Sequence, residues 1–476
     1  MSNLFDRRIA MIKQLILTGL SLACLACSVG PDYHRPDIYS DEAIAQTLKL
    51  QMNNPRQVGR QWYLDFEDED LNSLIERGLS NSPSVAAALS KMHQARYRLL
   101  IDQSGFLPSF DAQGSYSKSS PSSSVSPLGK TEYFQTGVDA SWELDIWGGR
   151  RRLSESAQAL LRAAADNLDN VKLSLTAEIA STYFKWRLAE KQRLITERNL
   201  VLQEDIFQTV QDRYRSGLAD DLAYEQAKSV LQTTRMMLPQ IKTQEKAYQN
   251  ALAVLVGALP DTIVHSKENP LDKKPEVTLS ALYNLPADIV RNRPDVRAAE
   301  QQLIAQNALI GQAVANLFPS VSLSAFWGYQ NKTLSPIFGP DYNMYSSGGS
   351  VVMPLLHWGA LVNQVKLQES AKQEALALYQ ASLLQAAADI SNSIKALEEE
   401  TTRNTSAAES MRSTTQILDL SLTKYKNGLI DFSDILTAEQ NKLSAETAYL
   451  ESKAAVYQDV IGFYKAVGGG YARPSD

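Results

Sequence analysis

The feature that most constrains the fold is a long stretch without glycine or proline, residues 150–216. Apolar residues recur in it at steps of three and four, as they do along one face of an α-helix. At 1.5 Å per residue, a single helix of this length would extend for roughly 100 Å, far beyond the average globular helix. The sequence therefore predicts an elongated helical protein and not a soluble enzyme core.

The residues before this helix follow a different period. Apolar and polar residues alternate from Phe134 to Ile146, the pattern of a β-strand whose two faces meet different environments. A similar alternating strand covers residues 109–116, and the Ser-, Pro- and Gly-containing segment 117–130 between them has the composition of an exposed loop. Together these segments predict a β-hairpin over residues 109–146.

The whole construction occurs twice. Adding 211 to a residue number in the first half of the chain gives a matching residue in the second half. A constant offset across anchors spread along the whole unit indicates an internal duplication. The matched pairs include Pro83 and Pro294, Pro108 and Pro319, Gly137 and Gly348, Trp147 and Trp358, Tyr214 and Tyr425, and Gly217 and Gly428.

The duplication sets the expected domain organisation. We expect a first repeat over residues 67–257 and a second over residues 286–471, joined by an equatorial linker, residues 258–285. Residues 27–66 form an N-terminal equatorial strap before the first repeat. Each repeat holds a hairpin, a long helix and a return helix, predicted at residues 109–146, 150–216 and 219–256 and at residues 320–355, 360–427 and 430–467.

The N-terminus has the pattern of an export signal. Basic residues precede an apolar run from Leu15 to Ala26, which is too short to span a membrane. The pattern is complete whether translation starts at Met1 or at Met11. We therefore expect residues 1–26 to be a lipoprotein signal peptide.

The two cysteines of the chain lie at the end of this run. A disulfide between Cys24 and Cys27 would constrain nothing inside a signal peptide, so lipidation of Cys27, palmitate included, is the preferred interpretation. The residue that follows is Ser28 and not aspartate, which fits export to the outer membrane. We expect Cys27 to anchor the mature chain in lipid.

Charge and motifs exclude other classes of function. The net charge is −6 and the basic residues are dispersed, so no basic stripe indicates a nucleic-acid partner. No nucleophile elbow or zinc-binding His-Glu helix occurs. We expect no enzymatic activity, no metal and no cofactor. The histidines lie far apart and in no metal-ligand spacing: His34, His93, His265 and His357.

The strands account for membrane insertion. No run reaches the roughly 18 apolar residues of a membrane helix. In a bilayer every unpaired backbone polar group costs several kcal/mol, so an open four-stranded sheet is not viable there. Bacterial barrels need about eight strands or more, and three chains supply twelve. The predicted fold class is mainly α with β: a homotrimer in which four strands per chain close a 12-stranded transmembrane β-barrel joined to a long α-helical barrel.

Several segments carry a family resemblance. CSVGPDYHRP, ASWELDIWGGRRR, NRPDVRAAE, NLFPSVSLSA and KYKNGLIDFSDIL resemble the outer-membrane factor family, the TolC-like trimeric efflux channels, and within it the NodT-type lipoproteins. The resemblance extends from Cys27 to Tyr471. It implies a passive, lipid-anchored channel in the outer membrane of a Gram-negative bacterium, extending into the periplasm and fed by an inner-membrane pump through a periplasmic adaptor.

The resemblance leaves the cargo open. Drugs or other small toxic compounds are the preferred cargo, and type I protein secretion or metal-ion efflux is the alternative.

A periplasmic coiled-coil adaptor is the competing class of protein, but it would have one helical hairpin flanked by soluble β-domains. An enzyme is the third possibility. Fractionation as an outer-membrane trimer would separate the channel from both.

The resemblance also implies two sets of functional residues. Adaptor hairpins dock at the helical turns in this family, and the matching positions are Tyr214, Gly217, Leu218, Tyr425, Gly428 and Leu429. The alternative is that these glycines only cap helices, with a hydrophobic residue behind them.

Acidic residues ring the closed pore in this family, in an Asp-x-x-Asp stretch. Asp434 matches its first aspartate, and Thr437 stands in place of the second. Three copies of Asp434 around a narrow pore would repel each other and attract cations. The alternative is an ordinary solvated aspartate. Asp431 is a weaker gate candidate, because its counterpart Asp220 indicates a shared role in the turn.

Overall fold

The structure is a computed structural model that describes residues 28–48, 59–120, 131–262, 269–272, 284–335, 337–427 and 429–471. The predicted signal peptide 1–26, Cys27 and Gly428 lie outside these residues, as do parts of the predicted strap and linker. None of the helices in the described ranges combines the length and apolar character that a membrane crossing requires.

The chain is mainly helical with four strands, as predicted. The helices are α1 (Asp41–Thr47), α2 (Glu69–Asn81), α3 (Pro83–Ser104), α4 (Gly149–Arg215), α5 (Asp221–Leu255), α6 (Pro294–Ala315), α7 (Ala360–Lys426) and α8 (Phe432–Ala466). The strands are β1 (Ser109–Ser119), β2 (Thr131–Leu144), β3 (Ser320–Asn331) and β4 (Asn343–Val352). Short 3₁₀ helices cover Trp62–Phe66, Pro270–Asp272 and Pro340–Tyr342.

The two repeats produce elements of equal length. Helices α4 and α7 have 67 residues each, and α5 and α8 have 35 each. Both return helices begin two residues later than expected, because Asp220 and Asp431 occupy the N-cap positions. Strand β4 ends at Val352, before the predicted limit of its hairpin at residue 355. Pro354 follows and has no N–H to donate to a ladder.

The four strands form one antiparallel sheet in the order β1-β2-β3-β4. Ser109 pairs with Ser141 in the first hairpin, and their counterparts Ser320 and Val352 pair in the second, so both hairpins have the same register. Pairing of β2 with β3 joins the two repeats. Strands β1 and β4 are therefore the two edges of the sheet.

Two compact units share the chain, and each takes residues from both repeats. The sheet unit comprises Met1–Pro36, Lys91–Ala164 and Ala298–Tyr379, and the helix unit comprises Asp37–Ser90, Ala165–Arg297 and Gln380–Asp476.

In the sheet unit, the residues after Cys27 are bound to the junction of β2 and α4. The Val29 N–H donates to the Trp147 carbonyl over 3.0 Å. The buried Arg152 guanidinium donates to Asp32 over 2.7 Å. Arg35 forms an ion pair with Glu300. The start of the predicted mature chain is thereby held beside the base of the sheet.

In the helix unit, an aromatic core packs around the middle of α4. Tyr183, Phe184 and Trp186 are fully buried. Phe184 stacks on Tyr457 of α8 with ring centroids 4.3 Å apart, and the Tyr183 hydroxyl donates to Asp68 over 2.8 Å. This core fixes α4 against α8 and thus joins the two repeats.

Polar side chains set the lateral order of the long helices in the helix unit. Arg193 of α4 pairs with Glu245 of α5 at 2.8 Å. Arg198 of α4 forms an ion pair with Glu446 of α8. Ser452 of α8 donates to Glu400 of α7 over 2.6 Å. The order is therefore α5-α4-α8-α7, with α5 and α7 at the outside.

Candidate functional site: the helical turns

The first helical turn joins α4 to α5. After Arg215 the chain reverses through a Schellman arrangement, in which the Leu218 N–H donates to the Arg213 carbonyl over 2.8 Å and the Gly217 N–H donates to the Tyr214 carbonyl over 3.0 Å. Gly217 has a φ of +72°, a conformation that favours glycine. The Asp220 carboxylate then accepts from the Ala223 N–H over 2.9 Å and caps α5.

The second turn shares one of these backbone hydrogen bonds. The Leu429 N–H donates to the Lys424 carbonyl over 3.0 Å, which matches the bond between Leu218 and Arg213. Asp431 is the N-cap residue of α8, and its own N–H donates to the Asp434 carboxylate over 3.3 Å. Both predicted interpretations of these turns, helix capping and partner docking, remain compatible with the geometry.

Aromatic contacts hold the two turns together. The Arg213 guanidinium lies 5.1 Å from the ring centroid of Tyr425. Tyr214 stacks on Tyr224 with ring centroids 4.9 Å apart. The hydrogen bond between Tyr214 and the Asp221 carboxylate raises the pKa of Tyr214. A small cluster beneath these contacts buries Val210, Ala227 and Phe432.

A leucine projects from each turn. Leu218 is 70% exposed and Leu429 is 71% exposed. The two turns, which contact each other, therefore expose two apolar side chains close to one another. This is the type of anchor that a partner helix can cover.

The predicted gate residues have local roles in the chain. Asp434 is exposed at the third position of α8, where it bonds the Asp431 N–H. The Thr437 hydroxyl donates to the Ser433 carbonyl over 2.9 Å, within its own helix. The counterpart of Asp434 in the first repeat is Ala223. Each chain therefore supplies this carboxylate once, from the second repeat only.

A buried carboxyl group near the second turn escaped the sequence analysis. Glu439 of α8 is only 3% exposed, and among the described residues no group bonds its Oε1 atom. Burial raises the pKa of Glu439, and a hydrogen bond from Gln203 opposes the increase only in part. The counterpart position in the first repeat is Lys228. A charged residue on the apolar stripe of α8 was the only available signal.

Metal-ligating side chains do not cluster in the part of the chain that the structure describes. No group of three or more His, Cys, Asp and Glu residues there could hold a metal ion.

Comparison with known proteins identifies similar sequences and folds. The family model for outer membrane efflux proteins matches residues 74–258 and 285–469. The cation efflux system protein CusC of Escherichia coli O6:H1 is 27% identical over 95% of this chain and 97% of the relative. The pyoverdine export outer membrane protein OpmQ of Pseudomonas aeruginosa is 28% identical over 87% of this chain and 88% of the relative.

The fold is similar to a solved outer-membrane channel. The structure of OprN matches with a TM-score of 0.84 and 27% identity, over 94% of this chain and 100% of OprN. The similarity therefore covers both repeats, the sheet and the helical turns.

Proposed function

The chain belongs to the outer membrane efflux protein family, and on this basis we propose that it is the channel of a tripartite efflux system, working as a homotrimer. As an outer-membrane efflux channel it is a passive conduit. Energy then has to come from an inner-membrane pump, and cargo reaches the channel through a periplasmic adaptor. The matched pair of helical turns is the observation that supports docking of the adaptor.

The adaptor docking surface consists of the two turns. Leu218 and Leu429 supply exposed apolar anchors, and the capped backbones of the turns hold them in place. Rigid anchors lose little conformational entropy on binding, which favours docking. The proposed docking residues are Tyr214, Gly217, Leu218, Tyr425, Gly428 and Leu429.

The sheet supports assembly of three copies. Within the described part of one chain, β1 and β4 each have a neighbouring strand on one side only. Their free backbone groups need partners in a bilayer, where each unpaired group costs several kcal/mol. Three copies joined edge to edge satisfy all of them with twelve strands. We infer that lipid on Cys27 anchors each copy beside this sheet.

Small toxic compounds such as drugs are the proposed cargo. The named relatives handle different cargo, since one is named for cation efflux and the other for pyoverdine export. Metal-ion efflux and type I protein secretion are the alternatives. Drug susceptibility and metal tolerance of a deletion strain, with and without the plasmid-borne gene, distinguish these cargo classes.

Single-channel recording tests the channel itself. We expect the purified protein to have the mass of a trimer and to give small, cation-selective openings in planar bilayers. The cation preference follows from three Asp434 carboxylates around one pore. A monomer without conductance would contradict the proposal.

A further inference from the structure

The internal repeat offers a way to derive the contacts between copies. Within one chain, the first repeat meets the second through specific residue pairs. If the copies surround a common axis, the second repeat of one copy meets the first repeat of the next copy. In each pair, 211 is added to the number of the residue from the first repeat and subtracted from the number of the residue from the second repeat. The two resulting residues are expected to meet between copies.

The sheet unit supports this operation at the base of the sheet. Trp147 stacks on Phe318 with ring centroids 4.7 Å apart, and its indole N–H donates to the Pro319 carbonyl over 2.8 Å. The counterpart of this tryptophan, Trp358, is 89% exposed, so the described residues of its own chain leave its ring largely uncovered. The operation seats Trp358 on Leu107, which is itself exposed.

In the helix unit, the same shift of 211 residues preserves a pair of opposite charges. The ion pair between Arg198 of α4 and Glu446 of α8 joins the two repeats. The counterparts of these residues are Glu409 of α7 and Arg235 of α5. The signs of both charges are reversed, so the pair remains complementary. Helices α7 and α5 are the outermost in the lateral order and are thus free to meet in neighbouring copies.

The cation and the aromatic ring at the turns are also preserved. Arg213 lies over the ring of Tyr425 where the first repeat meets the second. The counterparts are Lys424 and Tyr214, again a cation and an aromatic residue. Three independent contacts within the chain therefore have chemically complementary counterparts.

We propose that these three contacts between the repeats recur between copies, with Glu409 pairing with Arg235, Lys424 lying over Tyr214, and Trp358 packing on Leu107 and Pro108 of the next copy. This proposal rests on the proposed homotrimer and specifies its interface. The register of β2 and β3 then also sets the register of β4 against β1 of the next copy. Asp139 pairs with Phe326 and Gln135 with Gln330, so Ser350 meets Ser115 and Ser346 meets Ser119.

Disulfide cross-linking tests the register. The double variants S115C/S350C and S119C/S346C place both thiols opposite each other across neighbouring copies. The exchanged combinations S115C/S346C and S119C/S350C use the same four substitutions but separate the thiols by four residues, about 13 Å along the strands. Disulfides need Cα atoms within about 7 Å. The four single variants control for cross-linking through Cys24 or Cys27.

We expect the first two variants to run as covalent dimers and trimers without reductant, and the exchanged variants to remain uncross-linked monomers in denaturing gels. Cross-linking of the exchanged variants would overturn the proposed interface and leave the channel function intact. The same conclusion would follow if no variant cross-linked although native mass spectrometry showed the protein to be a trimer. A native monomer would overturn the assembly and the interface together.

Charge reversal tests the helical contact independently. R235E and E409R each place two like charges together, so each should lower the temperature at which the trimer dissociates in detergent. The double variant R235E/E409R should dissociate at a higher temperature than the sum of the two single losses predicts, because it restores the contact between copies. Within its own chain Arg235 pairs with Glu204, and Glu409 pairs with Arg412, so mutual rescue can arise only between copies. Additive losses would overturn the pairing.

Discussion

At the scale of single residues, Glu439 is the most unusual group in the helix unit. Its carboxyl group is buried beside Gln203, whose side-chain oxygen also has no partner among the described residues. Burial raises the pKa of Glu439 above its ordinary value of 4.5. The folded protein therefore retains this proton to higher pH than the unfolded chain, and folding stability falls as pH rises through the raised pKa.

Glu439→Gln should reverse this loss. Glutamine cannot ionise, so the variant should equal the wild type near pH 4 and exceed its stability at pH 7 by on the order of 1 kcal/mol. Thermal unfolding followed by circular dichroism from pH 4 to pH 8 measures the difference. Glu446→Gln is the matched control with the opposite sign. Burial favours the neutral form of Glu446, but hydrogen bonds from Lys442 and Arg198 outweigh it and lower the pKa. A pH-independent effect of Glu439→Gln would contradict the assignment.

At the scale of elements, the start of α8 combines a helix cap with the proposed gate. Asp434→Ala should lower the conductance for cations and weaken cation selectivity, because it removes one cation-attracting carboxylate per copy from the pore. It also removes the bond to the Asp431 N–H, which costs about 1 kcal/mol. Asp220→Ala is the control, since it removes the cap from α5 without altering the ring. Equal effects of both substitutions in planar bilayers would assign the change to a loosened turn and not to the ring.

Element types and their order follow from the sequence, whereas the contacts around the turns do not. The absence of glycine and proline predicts the 67-residue helices, and the period of two predicts the strands. The N-cap role of Asp431 was visible in its counterpart Asp220. The cation over Tyr425 and the burial of Glu439 depend on how α4 and α8 pack. Such distances between separate segments are not encoded in local spacing.

At the scale of the whole molecule, the exposed leucines of the two turns should govern transport and not assembly. The double variant Leu218→Asp and Leu429→Asp removes both apolar anchors, and burial of a carboxylate against an apolar partner is costly. We expect at least a tenfold loss of efflux-dependent resistance in complemented cells. Trimer mass and conductance should persist, because both side chains are exposed in the chain. Leu259→Asp is the control, since this leucine is as exposed but follows the other end of α5. Full resistance in the double variant would mean that the adaptor binds elsewhere, and loss of the trimer would mean that the turns serve assembly.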